Sequence, residues 1–478
     1  MEDLMNAPAK NVFGLLVGNR SFFPDQLVSE GRKQMIAVLE RQGYKVIRLT
    51  EQETKCGAVE TYSDAKKCAS LFRENGHLID GIIVTLPNFG DEQGVADAIR
   101  LSGLNVPVLL HAFPDDTEQM GWGRRRDGFC GKMSACNNLY QYGIPFSLTT
   151  LHTVSPDLES FKLDLDRFAG TCRVVNGLKN LRFGALGARP AAFKTVRYSE
   201  KLLERNGISV ETLDLSDVLG RIGRLKDEDD AVSQKVVEIS RYAPTENVPA
   251  RPLLKMAKLG VVLDAWVEAS ALKGIAVQCW TSLEENFGVV PCTIMSMMTE
   301  TLCPAACEVD VNGLLAMYIL QLAAGTPPAI VDWNNNYGGD PDKAVIFHCS
   351  NLPKSMFHQI RIDTHDIFAE SVGRENTYGT INGTLLAGPL TYLRLSTDEF
   401  MGKLRAYLGE GEFTSDPIQT FGGAGVVHIN GLQKLLRFAC KNGFEHHVAV
   451  SHSSVSESIQ EALTTYLKWD VWCPADQS

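Results

Sequence analysis

The stretch VFGLLVGNRSFFPDQLVSEGRKQMIAVLERQGYKVIRLT, Val12 to Thr50, sets the architecture of the chain. Val12–Gly18 is a short apolar run that ends in glycine, which suits a strand covered on both faces. QLVSEGRKQMIAVLERQGY then spaces its apolar residues as a helix does and stops at a glycine. KVIRLT is the next strand. The rhythm continues with a helix around Ala65–Asn75, GIIVTL at Gly81–Leu86 and VPVLLHAF at Val106–Phe113. Strand, helix and strand in this order predict a parallel sheet with helices on both faces. The loops Gly18–Phe23, Leu86–Gly90 and His111–Asp116 follow strand ends, the edge at which open α/β sheets bind ligands.

A second α/β unit starts near LRFGALGARPAAFKTVRYSEKLLERNGISVETLDL, with a strand at Arg182–Leu186. A helix near Leu253–Glu268 and a strand at Gly274–Trp280 continue it. Its glycine loop has neither a GxGxxG nor a Walker pattern, so no dinucleotide site is expected. The last quarter turns to glycine-rich β signals, TYGTINGTLLAGPLTYLRLST, KLRAYLGEGEF and GAGVVHINGL, which predict a small antiparallel barrel or sandwich. A final helix is expected over SSVSESIQEALTTYLKW. The fold class is therefore α/β: two doubly wound parallel-sheet domains, residues 1–175 and 176–350, then a β-barrel-like domain, residues 351–478.

The 478 residues carry a net charge of -11, which excludes a general nucleic-acid binder because phosphate contacts need a basic surface. No apolar run reaches the length of a membrane span, and the opening residues lack the pattern of a signal peptide. The twelve cysteines are scattered without CxxC spacing, so they read as reduced structural thiols of a cytoplasmic protein.

Functional chemistry centres on PCTIMSMMTETLCPAACEVDVNGLLAMYILQ, Pro291 to Gln321, an apolar stretch that holds Glu308 and Asp310. Read as a strand, AACEVDVNG puts both carboxylates on one face, where they repel and lose hydration unless a cation sits between them or the strand end opens to water. Glu284 and Glu285 lie in WTSLEENFG, His348 ends the strand of KAVIFHCSN, and His446 and His447 begin another in NGFEHHVAVSH. Carboxylates and imidazoles together suit Mn²⁺, Fe²⁺, Co²⁺ or Zn²⁺.

GNRSFF, RRDGFCGKMSACNNLYQYGIPFSLT, GARPAAFKTVRYSEKLLE, LEENFG, ACEVDVNG, VIFHCSN and FEHHVAVSH, in this order, resemble the L-fucose and L-arabinose isomerase family over nearly the whole chain. The resemblance implies three domains of the kinds above and aldose–ketose isomerisation through an enediol. It implies Mn²⁺, with Co²⁺ or Mg²⁺ as alternatives, held by a glutamate, a second acid and a histidine. By position these are Glu285 (rival Glu284), Asp310 (Glu308 by the arabinose pattern) and His447. Glu285 and Asp310 would also be the acid/base pair, and His348 a fourth ligand or a sugar contact. The resemblance further implies a homo-oligomer, a hexamer or trimer-based, with sites at subunit interfaces.

Two positions depart from the arabinose pattern. Arg20 stands where that pattern has glutamine, and Asn137 where it has histidine. Arginine matches a phosphate, sulfonate or carboxylate through two parallel hydrogen bonds. Arg20 therefore suggests an anionic sugar such as sulfoquinovose, giving sulfofructose, with Arg124–Arg126 as further basic residues. The structural alternative for Arg20 is a pair with Asp25 or a place at a subunit contact. A neutral sugar (L-arabinose, L-fucose or D-arabinose) is the alternative substrate. A non-catalytic sugar-binding protein is the alternative class.

Overall fold

The computed structural model describes residues 10–474. The start of the segment read for a signal peptide and the last four residues of the C-terminal domain lie outside them. The chain forms two compact units: one of Met1–Gly177 with Glu457–Lys468, the other of Leu178–Ser456 with Trp469–Ser478.

The first unit is built on β1 (Val12–Val17), β2 (Lys45–Arg48), β3 (Gly81–Leu86), β4 (Val108–Ala112) and β5 (Ser147–Leu148). They form a parallel sheet in the order β2-β1-β3-β4-β5. Because side chains alternate along a strand, two cores result. Leu16, Val84 and Leu110 enter one; Leu15, Val17, Ile83 and Leu109 enter the other. Helices cover both, and Thr61 and Asp91 cap two of them with side-chain oxygens on backbone N–H groups.

The final helix is real but lies where the sequence did not place it. From Glu457 on, the helix Ser456–Glu461 and the wider turn Ala462–Tyr466 belong to the first unit. The Tyr466 hydroxyl accepts from Val108 N at 3.2 Å and donates to Val108 O at 3.1 Å. Ser147 Oγ lies 2.8 Å from the same hydroxyl and donates to Glu461 at 2.7 Å. The segment thus satisfies polar groups on β4 and β5.

The second unit holds two sheets. A parallel one runs β7-β6-β8-β9, from β6 (Leu181–Leu186), β7 (Ile208–Leu213), β8 (Ile275–Val277) and β9 (Ala305–Ala306). The other has nine strands: β10 (Ala329–Asn336), β11 (Lys343–His348), β12 (Arg361–Thr364), β13 (Tyr378–Thr384), β14 (Gly388–Asp398), β15 (Lys403–Phe413), β16 (Gly423–His428), β17 (His447–Ser451) and β18 (Asp470–Trp472). The antiparallel run β16-β11-β10-β17-β14-β15 closes on itself because β15 also pairs with β16. This is the expected barrel, with β12, β13 and β18 added at its sides. β10 and β11, which the boundary at residue 350 assigns to the central domain, are barrel strands.

One local reading is corrected. AACEVDVNG is not a strand through its acids: β9 ends at Ala306, and Asp310 caps the buried helix Val311–Ala324, accepting from Gly313 N at 2.8 Å. Glu308 and Val309 between them have φ of 56° and 58°. This left-handed backbone is costly for residues other than glycine, most of all a β-branched one, and such strain collects at functional sites. The two carboxylates therefore do not share a face.

Candidate active site

At one rim of the barrel, Asp332 on β10 faces His447, the first residue of β17, as its cross-strand partner. His348 is the last residue of β11. The loop after β9 brings Glu308 to them. Glu308 Oε2 lies 3.6 Å from His348 Nε2 and 3.7 Å from His447 Nε2, and Asp332 Oδ1 lies 3.4 Å from His447 Nε2. These separations exceed a hydrogen bond. Glu308 Oε2 and Asp332 Oδ1 are both buried without a well-formed hydrogen bond, the shortest approach being that of His446 Nε2, 3.3 Å from Asp332 Oδ1.

Buried carboxylate oxygens without well-formed hydrogen bonds are costly unless charge compensates them. Two carboxylates and two imidazoles around one gap make the donor set of a transition-metal ion, and Asp332, His348 and His447 place ligand atoms within 4.8 Å of one another. The residues present fit a divalent cation.

The outer sides of both imidazoles are fixed. His447 Nδ1 lies 2.9 Å from Asp310 Oδ2, and His348 Nδ1 lies 3.3 Å from Cys349 Sγ. Each ring is thereby turned with Nε2 toward the gap, the usual way a carboxylate or other partner orients a ligating histidine. Burial opposes charge on both imidazoles, but the facing acids and, at His348, first of all Cys349 raise their proton affinity above the ordinary value.

Asp310 is held elsewhere. Arg394, fully buried on β14, binds it at 2.5 and 3.1 Å and reaches Glu445 at 3.1 Å. Burial disfavours the Asp310 anion, but Arg394 and His447 outweigh it and hold the carboxyl well below the usual range. Asp310 is thus not among the grouped ligand atoms; it stands behind His447. Glu285 is exposed on the short helix Ser282–Asn286 and belongs to neither group of possible ligands, while its rival Glu284 is buried. Of the expected residues the structure brings together His348, His447 and Glu308, the alternative to Asp310, and it adds Asp332.

Aromatic rings close around this gap. Trp280 Nε1 donates to Glu308 Oε1 at 2.9 Å and fixes that carboxylate. Phe193 meets Trp280, His446 and His447 with ring centroids 5.8, 5.2 and 5.6 Å apart, and Phe368 stacks on Trp280 at 5.7 Å. Such faces suit the C–H side of a sugar and keep water from the carboxylates.

Arg20 and Asn137 lie in the first unit. Arg20 follows β1, donates to Gly90 O at 2.9 Å, pairs with Glu92 and lies over the Phe89 ring at 4.2 Å. The expected Asp25 partner is instead bound by Lys55 at 2.7 Å. Asn137 is exposed on the helix Gly128–Gln141.

Fold and site together define an α/β protein whose barrel rim carries a buried carboxylate–imidazole centre. A family model described as the fucose/sulfoquinovose isomerase N-terminal domain matches residues 14–179, and one described as the L-fucose isomerase C-terminal domain matches residues 346–473. The chain belongs to this family of sugar isomerases. It is 22% identical over 397 residues to a sulfoquinovose isomerase of Priestia aryabhattai, covering 81% of this chain and 84% of that one. It is 23% identical to a sulfoquinovose isomerase of Alkalicoccus urumqiensis, covering 80% and 83%, and 24% identical to one of Clostridium sp. (strain MSTE9), covering 64% and 67%. No helix among the described residues is long and apolar enough to cross a membrane.

Proposed function

We propose that this chain is a divalent-cation-dependent aldose–ketose isomerase that works through an enediol. The observation that carries this reading is the convergence of Glu308, Asp332, His348 and His447 with two buried carboxylate oxygens lacking well-formed hydrogen bonds. These four residues would hold the ion. Two imidazoles favour Mn²⁺ or Co²⁺ over Mg²⁺, which prefers an all-oxygen shell. A bound divalent ion supplies the positive charge that polarises the sugar carbonyl and stabilises the enediolate.

The proton transfers fall to the carboxylates. Glu308, whose Oε1 is anchored by Trp280, is the carboxylate placed to take the proton from C2 and return it to C1. Asp332, next to His446 at 3.3 Å, is placed to pass the proton between the sugar oxygens. Asp310 takes no proton, because Arg394, His447 and Gly313 occupy its oxygens; it positions His447.

The substrate we favour is sulfoquinovose, converted to sulfofructose, in a cytoplasmic homo-oligomer, a hexamer or trimer-based, with sites at subunit interfaces. Support comes from the names of the relatives and from Arg20, whose guanidinium would exchange Glu92 for a sulfonate. A neutral sugar is the second reading, favoured by that same Glu92, which already neutralises Arg20. Incubating the Mn²⁺-loaded protein with sulfoquinovose, L-arabinose, L-fucose and D-arabinose in D₂O and following each by NMR tests both. Ketose formation with deuterium incorporation from sulfoquinovose alone, lost in Arg20→Gln, supports the first. Turnover of a neutral sugar, unchanged in Arg20→Gln, supports the second. No turnover of any sugar, with sugar binding intact, makes the chain a binding protein.

A further inference from the structure

Four cysteines far apart in the sequence meet beside this centre. Cys279, Cys292 and Cys307 are buried and Cys349 nearly so, and all are free thiols. Cys349 Sγ lies 3.3 Å from His348 Nδ1. Cys279 Sγ lies 3.4 Å from Glu308 Oε1. Two of these thiols are set for a cation: Cys307 Sγ, a Glu308 oxygen, a His348 ring nitrogen and Cys349 Sγ all lie within 4.8 Å of one another. Nothing in sugar isomerisation requires thiols there.

We propose that Cys307, Glu308, His348 and Cys349 form a second cation site, overlapping the first, that takes a thiophilic divalent ion of the Zn²⁺ or Cd²⁺ class. Two sulfurs, one nitrogen and one oxygen are the tetrahedral donor set such ions select, whereas the Asp332 and His447 side offers only oxygen and nitrogen. The two sites share Glu308 and His348, so an ion in one competes with an ion in the other for these side chains. An ion captured on the sulfur side removes the carboxylate and imidazole that the first site needs. The centre would thus sort cations by softness, and a soft ion would silence it. This inference stands whether or not the protein turns over a sugar.

The test uses the full-length, metal-stripped protein with Cd²⁺ as probe. We expect an ultraviolet thiolate-to-cadmium charge-transfer band that saturates at one equivalent, is lost in Cys307→Ser and in Cys349→Ser, and persists in His447→Ala. Mn²⁺ binding, followed by electron paramagnetic resonance, should show the reverse: kept in Cys307→Ser, lost in His447→Ala, and displaced by Zn²⁺ in the wild type. Zinc-edge X-ray absorption of the wild-type protein needs no variant and should show two sulfur neighbours. A zinc shell of nitrogen and oxygen alone, a band that survives both serine variants, or one lost only in Cys279→Ser or Cys292→Ser overturns the assignment.

Discussion

The carboxylate of Asp310 lies 2.9 Å from Nδ1 of His447, on the side of the ring away from the gap. The pair makes Asp310 a residue that aims a ligand. Asp310→Asn should therefore weaken Mn²⁺ binding by about 10–100-fold, the usual effect of losing such a partner. Asp332→Asn should abolish it. Titration of both variants by electron paramagnetic resonance decides: if Asp310→Asn loses all binding and Asp332→Asn keeps it, the two roles are reversed.

Glu308 and Glu285 make a second contrast. Glu308→Gln should cut kcat by about 10²–10⁴-fold, as loss of a general base does. Glu285→Gln should leave kcat and KM as they are, because its carboxylate is exposed. Steady-state kinetics on the substrate found by NMR compares them directly.

Arg394 ties two buried acids, Asp310 and Glu445, in a place that water does not reach. Arg394→Met leaves both carboxylates without their cation and should cost about 3–5 kcal/mol of stability. Adding Asp310→Asn and Glu445→Gln should recover part of that loss. Urea unfolding midpoints of the single and triple variants measure both effects.

Glu284 is buried with neither oxygen hydrogen-bonded, and burial pushes its carboxyl up to about 8. In the unfolded chain it ionises near the ordinary glutamate value. Between the two values the unfolded state has released a proton that the folded state still holds, so this residue's contribution to stability falls as pH rises. Relative to Glu284→Gln, the wild type should lose about 1.4 kcal/mol per pH unit between about 4.5 and about 8. Denaturation of both proteins across that window checks the slope; an unchanging difference would mean Glu284 is already ionised.

The central strands of the first unit were legible because they are short, mostly apolar runs beside glycine or a helical pattern, as VFGLLV at Val12–Val17 and GIIVTL at Gly81–Leu86 are. His348 and His447 were legible for the same reason: each sits at the end of such a run. The spacing of Glu308 and Asp310 misled, because alternation means a shared face only in a strand, and nothing in the residue types Glu308 and Val309 announces a left-handed backbone. Asp332 carried one weak signal, a lone acid in the apolar run AIVDW, but its partnership with His447 is a matter of barrel register and has no local trace. The meeting of Cys279, Cys292, Cys307 and Cys349 is likewise a product of tertiary packing.

The return of Glu457–Lys468 to the first unit orders events on the ribosome. Once Gly177 has emerged, some 280 residues must be added before Glu457 follows, a delay of roughly a quarter of a minute to a minute at ordinary elongation rates. Throughout that interval the polar edges at Val108 and Ser147 await Tyr466. The nascent first unit is thus born unfinished, and a chain whose translation halts anywhere in the barrel releases a first unit that lacks its closing segment.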